Sequence, residues 1–278
     1  MVGYNNIRVK RYGRRMAADA CFSSPKEYSR FIDYITTRNQ VNISDAKAIY
    51  RFTDDESHPE FILRFTLSMP HVNTYNKHYL CIRKVPKRFP QIQELIEQKM
   101  MDQETAELLI ERFRKGSTLI CGGNSSGKTT LLNALKETLP DDMAVLVMQQ
   151  TNELTTMFHP DMMFLRYDPE DIDIAGLAMD VDFFIMGEVK GVEALYLLNA
   201  AYTGQICAAT IQAPSADRAP AQLIDYCLCQ SRHSEDELMR MLGCFHTFIF
   251  MEHYKVKEIF ACRGWSERHH NLMYERIF

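Results

Sequence analysis

CGGNSSGKTTLLNAL, residues 121–135, decides how the chain folds. Gly122-x-x-x-x-Gly127-Lys128-Thr129 is the phosphate-loop pattern, and an apolar run spaced for a helix follows it. A triphosphate needs many hydrogen-bond donors in a small space, and side chains are too bulky to supply them all. Glycines let backbone N–H groups converge on the phosphates at a helix N-terminus, where the dipole also favours negative charge. Gly122, Gly123, Asn124, Ser125, Ser126, Gly127, Lys128, Thr129 and Thr130 are therefore the candidate nucleotide-binding residues. Lys128 adds a charge toward the β- and γ-phosphates, and the Thr129 hydroxyl is placed to ligate Mg2+.

Outward from the loop, short apolar runs alternate with helical patterns. Thr118–Cys121 reads as the strand entering the loop and Lys128–Leu139 as the helix leaving it. "MAVLVM" (143–148) and "VDFFIMGE" (181–188) read as further buried strands. Such runs indicate a mainly parallel sheet covered on both faces, an α/β architecture. Upstream, Asp102 is placed to cap a helix carrying Ala106, Leu109, Ile110 and Phe113, which stops at Gly116. The last of these strands ends in Glu188. An acid there emerges at the carboxyl edge of the sheet, where it can hold Mg2+ through water or orient an attacking water.

Residues 1–88 read as a separate small α+β domain, and residues 89–278 as the phosphate-loop domain, with "PKRFPQ" (86–91) as the linker. "IRVKRYGRR" (7–15) reads as a strand with a charged turn. Ser24, Pro25 and Glu27 supply an N-cap, a first helical position and a capping box, and Tyr28, Phe31, Ile32 and Ile35 then share one helical face. In "FILRFTLSM" (61–69), Phe61, Leu63, Phe65, Leu67 and Met69 share one strand face and Arg64 lies on the other, with "KHYLCIRKV" (77–85) as partner strand. Residues 245–265 read as a hairpin turning at "EHYKVK", an edge of the second domain.

A net charge of −4 argues against a protein built to coat nucleic acid. No apolar run approaches membrane-spanning length and the first residues lack a signal-peptide core, which points to the cytoplasm with peripheral membrane contact only. The eight cysteines include no C-x-x-C pair, and Cys227 with Cys229 has the wrong spacing for zinc, so reduced buried thiols are expected. His269 and His270 read as a solvated turn, and most of the sixteen methionines as core filler.

With these residues in place, the chain resembles the traffic ATPases of type II and type IV secretion and of type IV and tight-adherence pilus assembly. The resemblance runs through "LRFTLSMP", "LCIRKVP", "GGNSSGKTTLLNAL", "VDFFIMGEVKGVEALYLLNAAYTGQ" and "TIQAPSADRAPAQL", in order. It implies a RecA-like domain that, with the N-terminal domain, clamps ATP and Mg2+ in a homohexameric ring. Nucleotide-driven motion of the ring then acts on inner-membrane proteins of a secretion or pilus machine. Carried over by position, it makes Arg64 and Arg83 candidates to reach the nucleotide phosphates; from the residues alone, both read as strand-surface arginines.

Several positions depart from the family. Gln149 and Gln150 stand where its acidic box has adjacent acids, leaving Glu153. Gln205 and Gln212 stand where its histidine box has histidines, and Ala178 and Asp180 where arginines usually precede the Gly-Glu strand. Glutamine keeps shape and hydrogen bonding but cannot accept a proton as a base. The expectation is slow ATP hydrolysis carried by Lys128, Glu188 and Glu153, with a glutamate at 149 restoring rate. A non-hydrolysing, ATP-binding scaffold subunit is the alternative, and a small-molecule kinase a weaker rival.

Overall fold

The computed structural model describes residues 4–11, 14–44, 47–150, 152–167, 180–229, 231–269 and 271–278. The chain divides into two compact units, Met1–Arg88 and Phe89–Phe278. Gly13 of the charged turn, Ala178 and His270 lie outside the described residues.

In the first unit, β1 (Arg8–Arg11) and β2 (Arg14–Ala17) form an antiparallel hairpin. Helix α1 (Pro25–Arg38) begins where the Ser24 hydroxyl accepts the Glu27 N–H at 3.2 Å. The Glu27 carboxylate turns back to the Ser23 N–H and hydroxyl instead of Ser24, so the box closes one residue early. Strands β3 (Ile49–Asp54), β4 (Phe61–Ser68) and β5 (Tyr79–Pro86) form an antiparallel sheet in that order. Phe65, Leu67 and Met69 pack with Tyr28, Ile32 and Ile35 of α1, as the alternation predicts. Arg64 alternates to the opposite face, where it stands directly across from Arg83 in the β4–β5 register.

The second unit opens with α2 (Ile92–Glu97) and α3 (Gln103–Lys115), the latter capped by Asp102, which accepts the Thr105 N–H at 2.8 Å. There follow β6 (Ser117–Gly122), α4 (Lys128–Lys136), β7 (Val145–Gln149), β8 (Met162–Arg166) and β9 (Phe183–Val189). The chain continues through α5 (Glu193–Tyr202), β10 (Ile206–Ile211), α6 (Ala219–Leu228) and α7 (Glu235–Leu242). It closes with β11 (Phe245–Glu252), β12 (Lys255–Ser266) and β13 (Asn271–Arg276).

The large sheet has the order β13-β12-β11-β6-β10-β9-β7-β8. From β11 to β8 every pairing is parallel, and β12 and β13 add an antiparallel end. Alternate residues of each central strand feed two cores. Leu119, Met186 and Ala209 pack with Leu197, Leu223 and Leu238 of α5–α7. Ile120, Ile185 and Ala208 pack with Leu109, Phe113, Leu131 and Leu135 of α3 and α4 on the other face. Both faces are covered, which is why the strands read as unbroken apolar runs.

Three sequence expectations are adjusted. Helix α4 stops at Lys136, short of Leu139. The C-terminal hairpin turns at His253 and Tyr254, both at positive φ, yet β11 is no edge: it pairs with β6, and β13 forms the border. Strand β8 was not anticipated, because its methionines read as core filler. Among the described residues, no helix is long and apolar enough to cross a membrane. All eight cysteines are free thiols.

Candidate functional site

Parallel strands deliver their carboxyl ends to one edge, and four of them deliver the candidate residues: β6 the phosphate loop, β10 Gln212, β9 Glu188 and β7 Gln149. The loop leaves β6 at Gly122, whose φ is +148° and where a Cβ would come within 2.2 Å of the Met251 carbonyl oxygen on β11. No other residue type fits so close to a neighbouring backbone. The chain then wraps back to start α4 at Lys128, with Gly127 as its N-cap.

Lys128 is 7 % exposed, and its Nζ donates to the carbonyls of Gly122 at 2.9 Å and Gly123 at 2.7 Å. The ammonium thus lies across the mouth of its own loop. Burial pushes its pKa down, while the nearby Glu188 carboxylate works in the opposite direction. The Ser126 hydroxyl in the same loop is buried without a hydrogen-bond partner. Cys121, just before the loop, has its thiol pushed up to about 12 by burial, so it is an inert packing group.

Strand β10 lies between β6 and β9, with Ile211 beside Cys121 on one side and Val189 on the other. The next residue, Gln212, therefore spans the gap: its Nε2 donates to Asn124 Oδ1 of the loop at 2.7 Å and to Glu188 Oε1 at 3.3 Å. Lys190 Nζ reaches the other Glu188 oxygen at 3.3 Å. Thr210 Oγ1 donates to the Gly187 carbonyl at 2.6 Å, fixing β10 to β9 beneath Glu188. The buried Glu193 accepts the Lys190 N–H at 2.7 Å and sets the turn that follows.

On the β7 side, Thr129 Oγ1 is 3.5 Å from Glu153 Oε2. The structure thus groups the sequence candidates in two pairs, Thr129 with Glu153 and Glu188 with Gln212. The oxygens of Thr129, Glu153 and Glu188 are hard donors of the type Mg2+ takes, and that ion is usually held by one or two carboxylates together with substrate phosphates. Among the described residues, no group of three or more His, Cys, Asp or Glu would hold a metal unaided. The residues present fit a phosphate-bridged Mg2+.

Gln205 does not belong to the site. It precedes β10 whereas Gln212 follows it, and the seven steps between them at about 3.3 Å each put the two about 23 Å apart, at opposite edges of the sheet. Gln149 is also not a vacant base position. It is 5 % exposed, and both its amide oxygen and its amide nitrogen are hydrogen-bonded to the backbone at 153–154. Asp180 is exposed. Arg64 and Arg83 belong to the first unit, with Arg64 half-buried and Arg83 exposed. Sequence reasoning missed the bridging role of Gln212 and the hydrogen bonds of Asn133 to the Glu153 carbonyl and the Thr155 N–H, since neither has a local signal.

A family model described as type II/IV secretion system protein matches residues 58–233. A Methanocaldococcus jannaschii protein, MJ1287, is 33% identical over 121 residues, covering 40% of this chain and 44% of that protein. The chain thus spans less than half the length of this relative. Among solved structures, the pilus retraction motor PilT with bound ADP is similar at a TM-score of 0.65 and 16% identity, covering 100% of this chain and 78% of PilT. The Legionella pneumophila ATPase DotB is similar at a TM-score of 0.62 and 16% identity, covering 99% and 74%. At these identities the structural likeness is one of fold.

Proposed function

The chain belongs to the type II/IV secretion system protein family, and from that premise we propose that it binds ATP and hydrolyses it slowly to power protein secretion or pilus assembly. The observation that carries the reading is the phosphate loop itself, with Lys128 poised on Gly122 and Gly123 and Glu188 tied to the loop through Gln212. Phosphate entry exchanges the two carbonyl partners of Lys128 for phosphate oxygens, so the ammonium moves from one set of acceptors to another without facing bulk water. Thr129 and Glu153 would hold Mg2+, which supplies charge neutralisation across the β- and γ-phosphates.

Glu188 is the group we assign to the attacking water. In hydrolysis the water oxygen bonds to the γ-phosphorus, the bond to the β–γ bridging oxygen breaks, and the water proton leaves toward Glu188 or a phosphate oxygen. The Gln212 amide contacts both the loop and Glu188, which couples filling of the loop to the orientation of that carboxylate. Gln212 beside the loop carries no base, so turnover rests on Glu188 together with positioning and electrostatics and is slow. Arg64 and Arg83 are assigned as cations for the nucleotide phosphates, in a homohexamer that acts peripherally on inner-membrane proteins from the cytoplasmic side.

The neutral Gln212 between the loop and Glu188 favours a second reading, a ring subunit that binds ATP to hold a shape without hydrolysing it. Phosphate release from MgATP by the purified chain, with and without membranes carrying its machine, separates the two. Turnover above that of Lys128→Ala supports the ATPase, and binding with no turnover in either condition supports the scaffold.

A further inference from the structure

Five hydrogen bonds converge on the turn that carries Glu153, and all come from two buried carboxamides. Gln149 Oε1 at the end of β7 accepts the N–H groups of Glu153 at 3.0 Å and Leu154 at 2.8 Å, and its Nε2 donates to the Leu154 carbonyl at 3.0 Å. Asn133 of α4, 2 % exposed, donates to the Glu153 carbonyl at 3.0 Å and accepts the Thr155 N–H at 3.3 Å. Asn133 lies one turn along α4 from Thr129, on the same stripe. The turn is thus held in register with the hydroxyl that Glu153 approaches.

We propose that Gln149 is a positioning residue, whose amide fixes the Glu153 carboxylate beside Thr129 so that the two share the Mg2+ that accompanies ATP. The assignment rests on the nucleotide reading above. Its chemical basis is a match of donors and acceptors. The turn offers two N–H groups and one carbonyl to residue 149, and a carboxamide satisfies all three. A carboxylate satisfies the two N–H groups but sets an oxygen against the Leu154 carbonyl, and it adds a negative charge next to Glu153. Gly187 on β9 leaves room beside Gln149, since a Cβ there would lie a tight 3.2 Å from the Gln149 Cβ. The glutamine is therefore specific to its task, and a glutamate here disrupts the metal site where the sequence alone predicts a restored base.

The test is ATP affinity measured with and without Mg2+, together with turnover, for the full chain and for Gln149→Glu and Gln149→Met. Both variants are expected to lose about tenfold of the Mg2+-dependent gain in affinity, the size usual for removing a group that orients a metal ligand. Their Mg2+-free affinity, which rests on the phosphate loop and Lys128, should stay within about twofold of the parent, a pattern that simple destabilisation would not produce. Faster turnover in Gln149→Glu, or a full Mg2+ gain in either folded variant, overturns the assignment. A parent that binds no ATP removes the nucleotide reading beneath it, whereas a parent with the gain beside variants that keep it removes the clamp alone. Should Gln149→Met fail to fold, the isosteric glutamate variant decides.

Discussion

Replacing Glu137 by glutamine isolates a buried charge that the fold otherwise neutralises. Lys136, the last residue of α4, has a side chain with 0% exposure, and its Nζ is hydrogen-bonded to the Glu137 carboxylate, itself only 11% exposed. Glu137 also accepts the N–H groups of Met157 at 3.2 Å and Phe158 at 3.0 Å, so it continues onto the next turn of chain the stitching begun by Thr129 and Asn133. Burial pushes the Lys136 pKa down against the pull of its partner. For Glu137, burial acts to raise the pKa, but the ion pair and the backbone N–H groups outweigh it and hold the carboxyl below its ordinary 4.5.

Removing one member of a buried pair costs about 3–5 kcal/mol, because the other is left charged and unpaired. At roughly 2–4 °C per kcal/mol for a domain of this size, Glu137→Gln should melt about 6–20 °C lower. The double variant Lys136→Met, Glu137→Gln should recover most of that loss, since an apolar replacement needs no partner. Thermal unfolding followed by circular dichroism reads both. The sign in pH follows from the lowered folded pKa: the contribution of Glu137 is fully present above about 4.5 and is lost as pH falls through the lower folded value. A single variant within about 1 kcal/mol of the parent, or a double variant no better than the single, would refute the pairing.

Two further outcomes concern the ligand. Lys128→Ala should weaken ATP binding about tenfold by calorimetry, near the lower end for a charge-assisted contact, because the free ammonium already has two carbonyl partners. Unchanged affinity would place the nucleotide elsewhere. Alanine at Arg64 or Arg83 should cost more for ATP than for ADP; equal affinities, with stability within about 0.5 kcal/mol, would reduce both to surface residues.

Much of the second unit was legible in the sequence because its signals are local. The phosphate-loop glycines, the Asp102 cap and the unbroken apolar strands each declare themselves within a dozen residues. The order β11-β6-β10-β9-β7-β8 has no such signal, and it is what makes neighbours of Asn124, Gln212 and Glu188. The same gap misled the treatment of the four glutamines as one set. Gln205 and Gln212 bracket a single strand and so sit at opposite sheet edges, while Gln149 is consumed by the turn at 153–154. Strand β8 escaped notice since its burial is partial and its two methionines carry no strand preference. The hydrogen-bond inventory of a buried amide depends on chain segments that only the fold brings together.

The most direct measurement is MgATP turnover and ATP affinity of Glu188→Gln beside the parent, in the presence of membranes carrying the machine. A positioned general base is worth about 10²–10⁴-fold in rate, so the variant should lose hydrolysis by at least the lower figure. Its affinity should stay close to the parent's, because Lys128 and the loop amides, not Glu188, grip the phosphates. Turnover by Glu188→Gln equal to that of an active parent would contradict the role given to Glu188 and, with it, the proposed site of hydrolysis.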